Sequence, residues 1–132
     1  MAYSESPVLV SFIAGTTFAD GDVYKFVDMD AQGHVIIMDT TGNNLAVGIL
    51  YGRTATTSTE AEAVPVAISG VAKVRLAAST AAAGNWIAAS SAGLGIAPST
   101  DGYVLGKLVA GTSGTTGRIG SMLFINGPLS TP

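Results

Sequence analysis

The chain contains no cysteine and one histidine, His34, and only 11% of its 132 residues are charged. Without cysteine there are no disulfides, thiolate metal sites or cysteine nucleophiles. His34 has no partner suggestive of a triad, and no Gly-x-Ser-x-Gly elbow occurs. Positive charge is scarce too. Six Lys and Arg face nine Asp and Glu, giving a net charge of −3 and a pI near 4.7. The six are spread out (Lys25, Arg53, Lys73, Arg75, Lys107, Arg118), and only Lys73 and Arg75 share a strand face. Phosphate neutralisation needs clustered cations, so no nucleic-acid partner is expected. No apolar run approaches the ~18 residues of a membrane helix, and no membrane partner is expected. Met1 to Pro7 lacks the basic n-region of a signal peptide.

What the chain does have is apolar. Hydrophobic residues make up 48% of it, mean hydropathy is +0.47, and 17 glycines punctuate the runs. A soluble domain carries about 25–35% charge on its surface alone. A chain this weakly charged is expected to hide part of its surface against other protein. It reads as an assembly protein rather than an enzyme, with no catalytic residues, cofactor or metal expected.

Short β-rich blocks follow one another at intervals of about ten residues, the pattern of an all-β sandwich or small barrel. Strands are expected at Val8–Ile13, Asp22–Val27, His34–Met38, Leu45–Tyr51, Val64–Ile68, Val71–Leu76, Trp86–Ala89, Val104–Val109 and Ile119–Ile125. Ser69-Gly70 between two such runs predicts a β-hairpin with Gly70 at positive φ. Pro65 places its strand at an edge or start. Residues 81–83 read as a turn, and Arg53 to Ala63 as a surface loop or short helical turn. The expected organisation is an extended N-terminal arm (1–7), one β-barrel domain (8–126) and a C-terminal tail (127–132).

A weak internal repeat of a three-strand unit also shows. Gly21-Asp22-Val23 matches Gly84-Asn85-Trp86, Asp30 to Gly33 matches Ser91-Ala92-Gly93, and Val47 to Leu50 matches Leu105 to Leu108. Convergent turn chemistry in a glycine-rich chain accounts for the same matches.

Four constellations invite a chemical interpretation. Asp28, Asp30, Gln32, Gly33 and Asp39 match the spacing of an EF-hand calcium loop. The flanks read as strand rather than helix, and position 12 holds Asp instead of Glu, so an acidic hairpin turn with Gly33 at positive φ is the plainer reading. Asp20, Asp22, Asp28 and Asp30 offer carboxylate pairs for acid–base work, but Asp beside Gly is ordinary turn chemistry. Gly111 to Arg118 resembles a phosphate loop but lacks the Gly-Lys-Ser/Thr ending, and reads as a hairpin loop. Trp86 and Tyr103 suggest a sugar platform; lone aromatics in a barrel more often serve core or interface.

The stretch His34-Val-Ile-Ile-Met38-Asp39-Thr-Thr-Gly42-Asn-Asn-Leu-Ala46-Val-Gly48-Ile-Leu50, with the Thr-rich segment after it, resembles the phage capsid decoration (cement) proteins of the lambda head type. Gly84-Asn85-Trp86 through Gly106-Lys-Leu-Val109 to Met122-Leu-Phe-Ile125 is similar to the wider decoration group. The likeness spans most of residues 14–126; the C-terminal half is longer than in the lambda type, so contacts there do not carry over. It implies a β-tulip-like trimer on the outer surface of the virion capsid, binding the major capsid protein and itself and resisting internal pressure. It further implies that the arm (Ala2, Tyr3, Ser4, Glu5, Ser6, Pro7) orders on the shell. The alternatives are a β-barrel adhesin or fibre module binding a ligand through its loops, and a calcium-binding or hydrolytic domain built on the Asp28–Asp39 turn.

Overall fold

The computed structural model describes residues 7–38, 46–54, 62–77, 83–98, 103–111 and 117–130, without the side chains of 103 and 126–130. The arm residues Ala2 to Ser6, together with Asp39, therefore lie outside the described residues. The protein is nearly all β. Its strands are β1 (Val8–Ile13), β2 (Phe26–Met29), β3 (Val35–Ile37), β4 (Gly48–Leu50), β5 (Ala63–Ser69), β6 (Val71–Leu76), β7 (Trp86–Ala89), β8 (Gly95–Ile96), β9 (Tyr103–Ala110) and β10 (Arg118–Ser130), with a 3-10 turn at Asp20–Asp22.

The strands form two five-stranded sheets, β1-β5-β4-β2-β3 and a closed barrel β10-β6-β8-β7-β9. In the first, a parallel bridge from Ala14 to Val35 brings the open ends together. In the second, the parallel pair Leu76–Gly95 closes the ring.

The two sheets are the same structure twice. Phe26 pairs with Ile49 and Val27 with Gly48; Trp86 pairs with Lys107 and Ile87 with Gly106. Ile49 pairs with Ala67 and Leu50 with Val66; Lys107 pairs with Leu123 and Leu108 with Met122. Leu9 opposite Ala67 and Val10 opposite Val66 recur as Val71 opposite Leu123 and Ala72 opposite Met122. The closing bridge recurs as well. Ala14 thus corresponds to Leu76, Val27 to Ile87, Gly48 to Gly106 and Val66 to Met122, an offset shrinking from 62 through 60 and 58 to 56 residues. The repeat read from sequence in three strands extends to all five, so the expected single barrel is two barrel-like units in tandem. One of the three sequence matches shifts: Tyr24, Lys25 and Phe26, not residues 21–23, correspond to Gly84, Asn85 and Trp86.

The strand ends differ from expectation in places. Residues 22–25 are not strand, because Asp22 Oδ2 accepts from the Ala19 N–H at 2.9 Å and Tyr24 takes φ +75°. Tyr24 is the one non-glycine at positive φ among the described residues, and its counterpart Gly84 has φ +93°. β10 continues through residues 127–130, expected as tail.

The hairpin expected at Ser69-Gly70 does not form. Gly70 has φ +86°, as expected, but β5 is already bonded on both edges, to β1 and β4. β6 has no edge to join and crosses to the second sheet, so the turn is a corner between barrels. Pro65 lies near the start of its strand, the third of seven residues in β5, but that strand is inside its sheet rather than at an edge. Its missing N–H falls where β4 ends at Leu50, and Gly52 leaves room for its ring: a Cβ there would lie 2.9 Å from Pro65 Cδ.

Alternation along the strands sets two cores. Val27, Val35, Leu50, Val64 and Val66 fill the first barrel with Phe18 and Ala14. Phe26, Met38, Ile49 and Ala67 point the other way and join Val74, Leu76, Ile87, Leu108 and Met122 in one cluster that binds the barrels together.

Candidate functional site

The Asp-rich segment folds as a hairpin turn. Asp30 Oδ1 accepts from the N–H groups of Gln32 and His34, both at 2.9 Å, and Gly33 turns at φ +82°. The Asp30 N–H donates to the His34 carbonyl at 2.8 Å. Asp28 Oδ1 accepts from the Met29 N–H at 2.8 Å. The second barrel repeats this turn with a hydroxyl in place of the carboxylate. Ser90 Oγ accepts from Ala92 and Leu94 at 3.2 and 3.1 Å, with Gly93 at φ +78°. A serine serving the same two N–H groups means the Asp30 oxygen is accounted for by turn geometry. Among the described residues no three His, Asp or Glu converge to hold a metal ion.

The basic pair is engaged at the seam between barrels. Arg75 donates from Nε to the Val23 carbonyl at 2.6 Å, from Nη1 to that of Gly117 at 3.2 Å and from Nη2 to that of Asp20 at 3.3 Å. Its N–H donates to the Tyr24 carbonyl at 2.8 Å. The Lys73 N–H donates to Tyr51 Oη at 2.6 Å, and Lys73 Nζ lies 5.7 Å from the Tyr24 ring centre. Tyr24 and Tyr51 meet edge to face at 5.1 Å. Asp20 and Asp22 are ion-paired, with Arg53 at 2.7 Å and Lys25 at 3.3 Å. Of the glycine-rich loop, residues 112–116 lie outside the described residues.

What the surface does offer is apolar. β1 is an end strand carrying Val8, Leu9, Val10 and Ile13 exposed, Leu9 to 48%. On the second barrel, Trp86, Lys107 and Leu123 form one cross-strand row over β7, β9 and β10. Trp86 and Leu123 are 44% and 45% exposed, and Lys107 Nζ lies 4.9 Å above the Trp86 ring. Trp86 is therefore surface rather than core, and the Tyr103 side chain lies outside the described ones. The sequence shows β1 as a strand but not as an exposed one, since a run that is apolar at every position but Ser11 resembles a strand buried on both faces. Leu123 carries no signal beyond its alternation in β10.

No family model, curated protein or solved structure matches this chain.

Proposed function

We propose that the chain is a capsid decoration protein, binding the outer surface of a phage head shell as a homotrimer and stabilising it against internal pressure. The observation that carries this is the exposed apolar surface of β1, Trp86, Ile119 and Leu123 on an all-β body with 11% charged residues. Exposed apolar surface of this kind marks protein contact. The contact chemistry is packing and main-chain pairing, which suits a mechanical role. The arm precedes β1 in sequence, and strand addition to a shell strand is the binding mode proposed for it. A trimer would multiply three weak arm contacts through effective concentration. The partners are the major capsid protein and further copies of the chain.

The test is electron cryomicroscopy of purified virions carrying the chain. The expected result is extra density on the outer shell that disappears when the chain is omitted. Deleting residues 2–7 should leave the fold and self-association intact while lowering shell occupancy at least tenfold. Particles that lack the chain, or carry it only inside, refute the proposal.

A further inference from the structure

The duplication supplies a partner for both exposed faces. In barrel one, the row Phe26, Ile49 and Ala67 is fully buried, because barrel two covers it. The corresponding row in barrel two is Trp86, Lys107 and Leu123, and it is exposed. Barrel two receives barrel one along the part of β6 that β8, paired only at Leu76, leaves uncovered, and at the end of the β7–β8 turn. The N–H groups of Lys73 and Arg75 donate to Tyr51 Oη and the Tyr24 carbonyl, and the Phe26 N–H donates to the Gly93 carbonyl at 2.8 Å. Their counterparts in barrel one are Ser11 and Ile13 on β1 and Gly33 on the β2–β3 turn, all exposed. Each chain thus carries one used copy and one unused copy of both halves of the same contact.

We infer that a second copy of the chain docks its Trp86–Lys107–Leu123 row onto the β1 edge and β2–β3 turn of its neighbour, repeating between chains the contact that joins the two barrels within one. The substitutions between the halves fit this use. Arg75 and Tyr51, which meet the opposite barrel through polar atoms, are replaced by Ile13 and Val109. Phe26 and Ala67 become the larger Trp86 and Leu123. Lys107 stands where barrel one has Ile49, and on the receiving side Asp28 of β2 and Asp30 of the β2–β3 turn stand where barrel two has Ala88 and Ser90. The charge introduced on one face is opposite to the charge introduced on the other. The contact is head-to-tail, so it closes into a ring or extends as a filament. A trimer built this way carries six barrels in one ring. The inference stands on the duplication and does not depend on the capsid proposal.

Sedimentation velocity of the full chain and two variants tests it. Trp86→Glu spoils one face and Ile13→Glu the other; both residues are exposed, and circular dichroism checks the fold. Wild type should sediment as an oligomer and each variant alone as a monomer. An equimolar mixture of the two should form a dimer and nothing larger, since one sound face of each kind remains. A two-fold symmetric interface gives no such rescue. In this cysteine-free chain, Ile13→Cys and Ala83→Cys mirror the Arg75–Val23 contact. Oxidation with copper phenanthroline should link the two when mixed and neither alone. Monomeric wild type, no dimer on mixing, or cross-linking within either single variant would overturn the inference.

Discussion

Alanine at Gly48 or Gly106 tests the duplicated register at its tightest point. Both glycines lie where the fourth strand of a barrel packs against the fifth. A Cβ on Gly48 would run into the Ala67 carbonyl oxygen and sit 2.8 Å from Val66 Cγ1. A Cβ on Gly106 would lie 2.5 Å from the Leu123 carbonyl oxygen and 2.6 Å from Met122 Sδ. No rotamer change moves a carbonyl, so the paired strands must part and their ladder bonds lengthen. Overpacking of this kind costs about 1–3 kcal/mol. Gly48→Ala belongs at the upper end, about 3 kcal/mol, because the neighbour there is backbone and a β-branched side chain. Gly106→Ala should cost about 2 kcal/mol, since the Met122 side chain can swing away and only the carbonyl resists. For a chain of this length the larger figure corresponds to a fall in Tm of about 10 °C. The two sites sit in different barrels and share no neighbour, so their free-energy losses should add to within ~0.5 kcal/mol. Gly21→Ala is the control: its Cβ meets nothing within 4 Å, and stability should stay within about 0.5 kcal/mol of wild type. Urea melts of wild type, the three single variants and the Gly48→Ala/Gly106→Ala double variant decide the matter. If Gly48→Ala is as stable as Gly21→Ala, strands β4 and β5 do not approach as described and the register fails.

Gly70→Val should cost about 1–3 kcal/mol through its positive φ, and denaturant melts that coincide with wild type would place the corner elsewhere. Asp30→Asn, which keeps the turn-capping oxygen, should melt like wild type, while Asp30→Ala should lose about 1–2 kcal/mol. Millimolar calcium or chelator should leave Tm unchanged; a calcium-dependent rise abolished in Asp30→Ala would restore the metal reading. Thr54 is buried, accepting from the Phe18 N–H at 2.9 Å and donating to the Phe18 carbonyl at 3.3 Å. Thr54→Val should therefore cost about 1–3 kcal/mol by stranding a buried donor, and a neutral result in a thermal melt would show that water reaches the site.

Strand identity was legible because alternation and turn glycines are local signals. Trp86–Ala89 and Val8–Ile13 are found with the ends expected. Pairing was less legible, since it depends on which edges are vacant. The Ser69-Gly70 turn carries good hairpin chemistry, and only the prior pairing of β5 with β1 and β4 sends β6 elsewhere. Tyr24 carries no glycine signal for its positive φ; only its correspondence to Gly84 reveals the conformation that position demands. β8 has two residues, Gly95 and Ile96, too few for any periodicity, and was not expected from the sequence. The exposed faces were the least legible, because burial is a property of the partner as much as of the strand.

The two halves differ in a pattern that composition alone conceals. Inward positions keep their character: Val27 and Ile87, Leu50 and Leu108, Val66 and Met122 are apolar pairs, and Gly48 and Gly106 are identical. Outward positions change. Phe26 and Ala67 fill a seam inside the chain, whereas Trp86 and Leu123 face outward; Arg75 clamps three carbonyls, whereas Ile13 presents a bare aliphatic edge. If packing within the barrels were the only demand, the outward face of barrel two would need solubility and should have become polar. Trp86 and Leu123 instead add apolar area, at a transfer cost of roughly 25 cal/mol for each Å2 left in water. A face that enlarges its apolar area where it has no partner within its own chain is explained by a partner from another. On the head-to-tail proposal, a second copy covers both of these faces in a chain with only 11% charged residues.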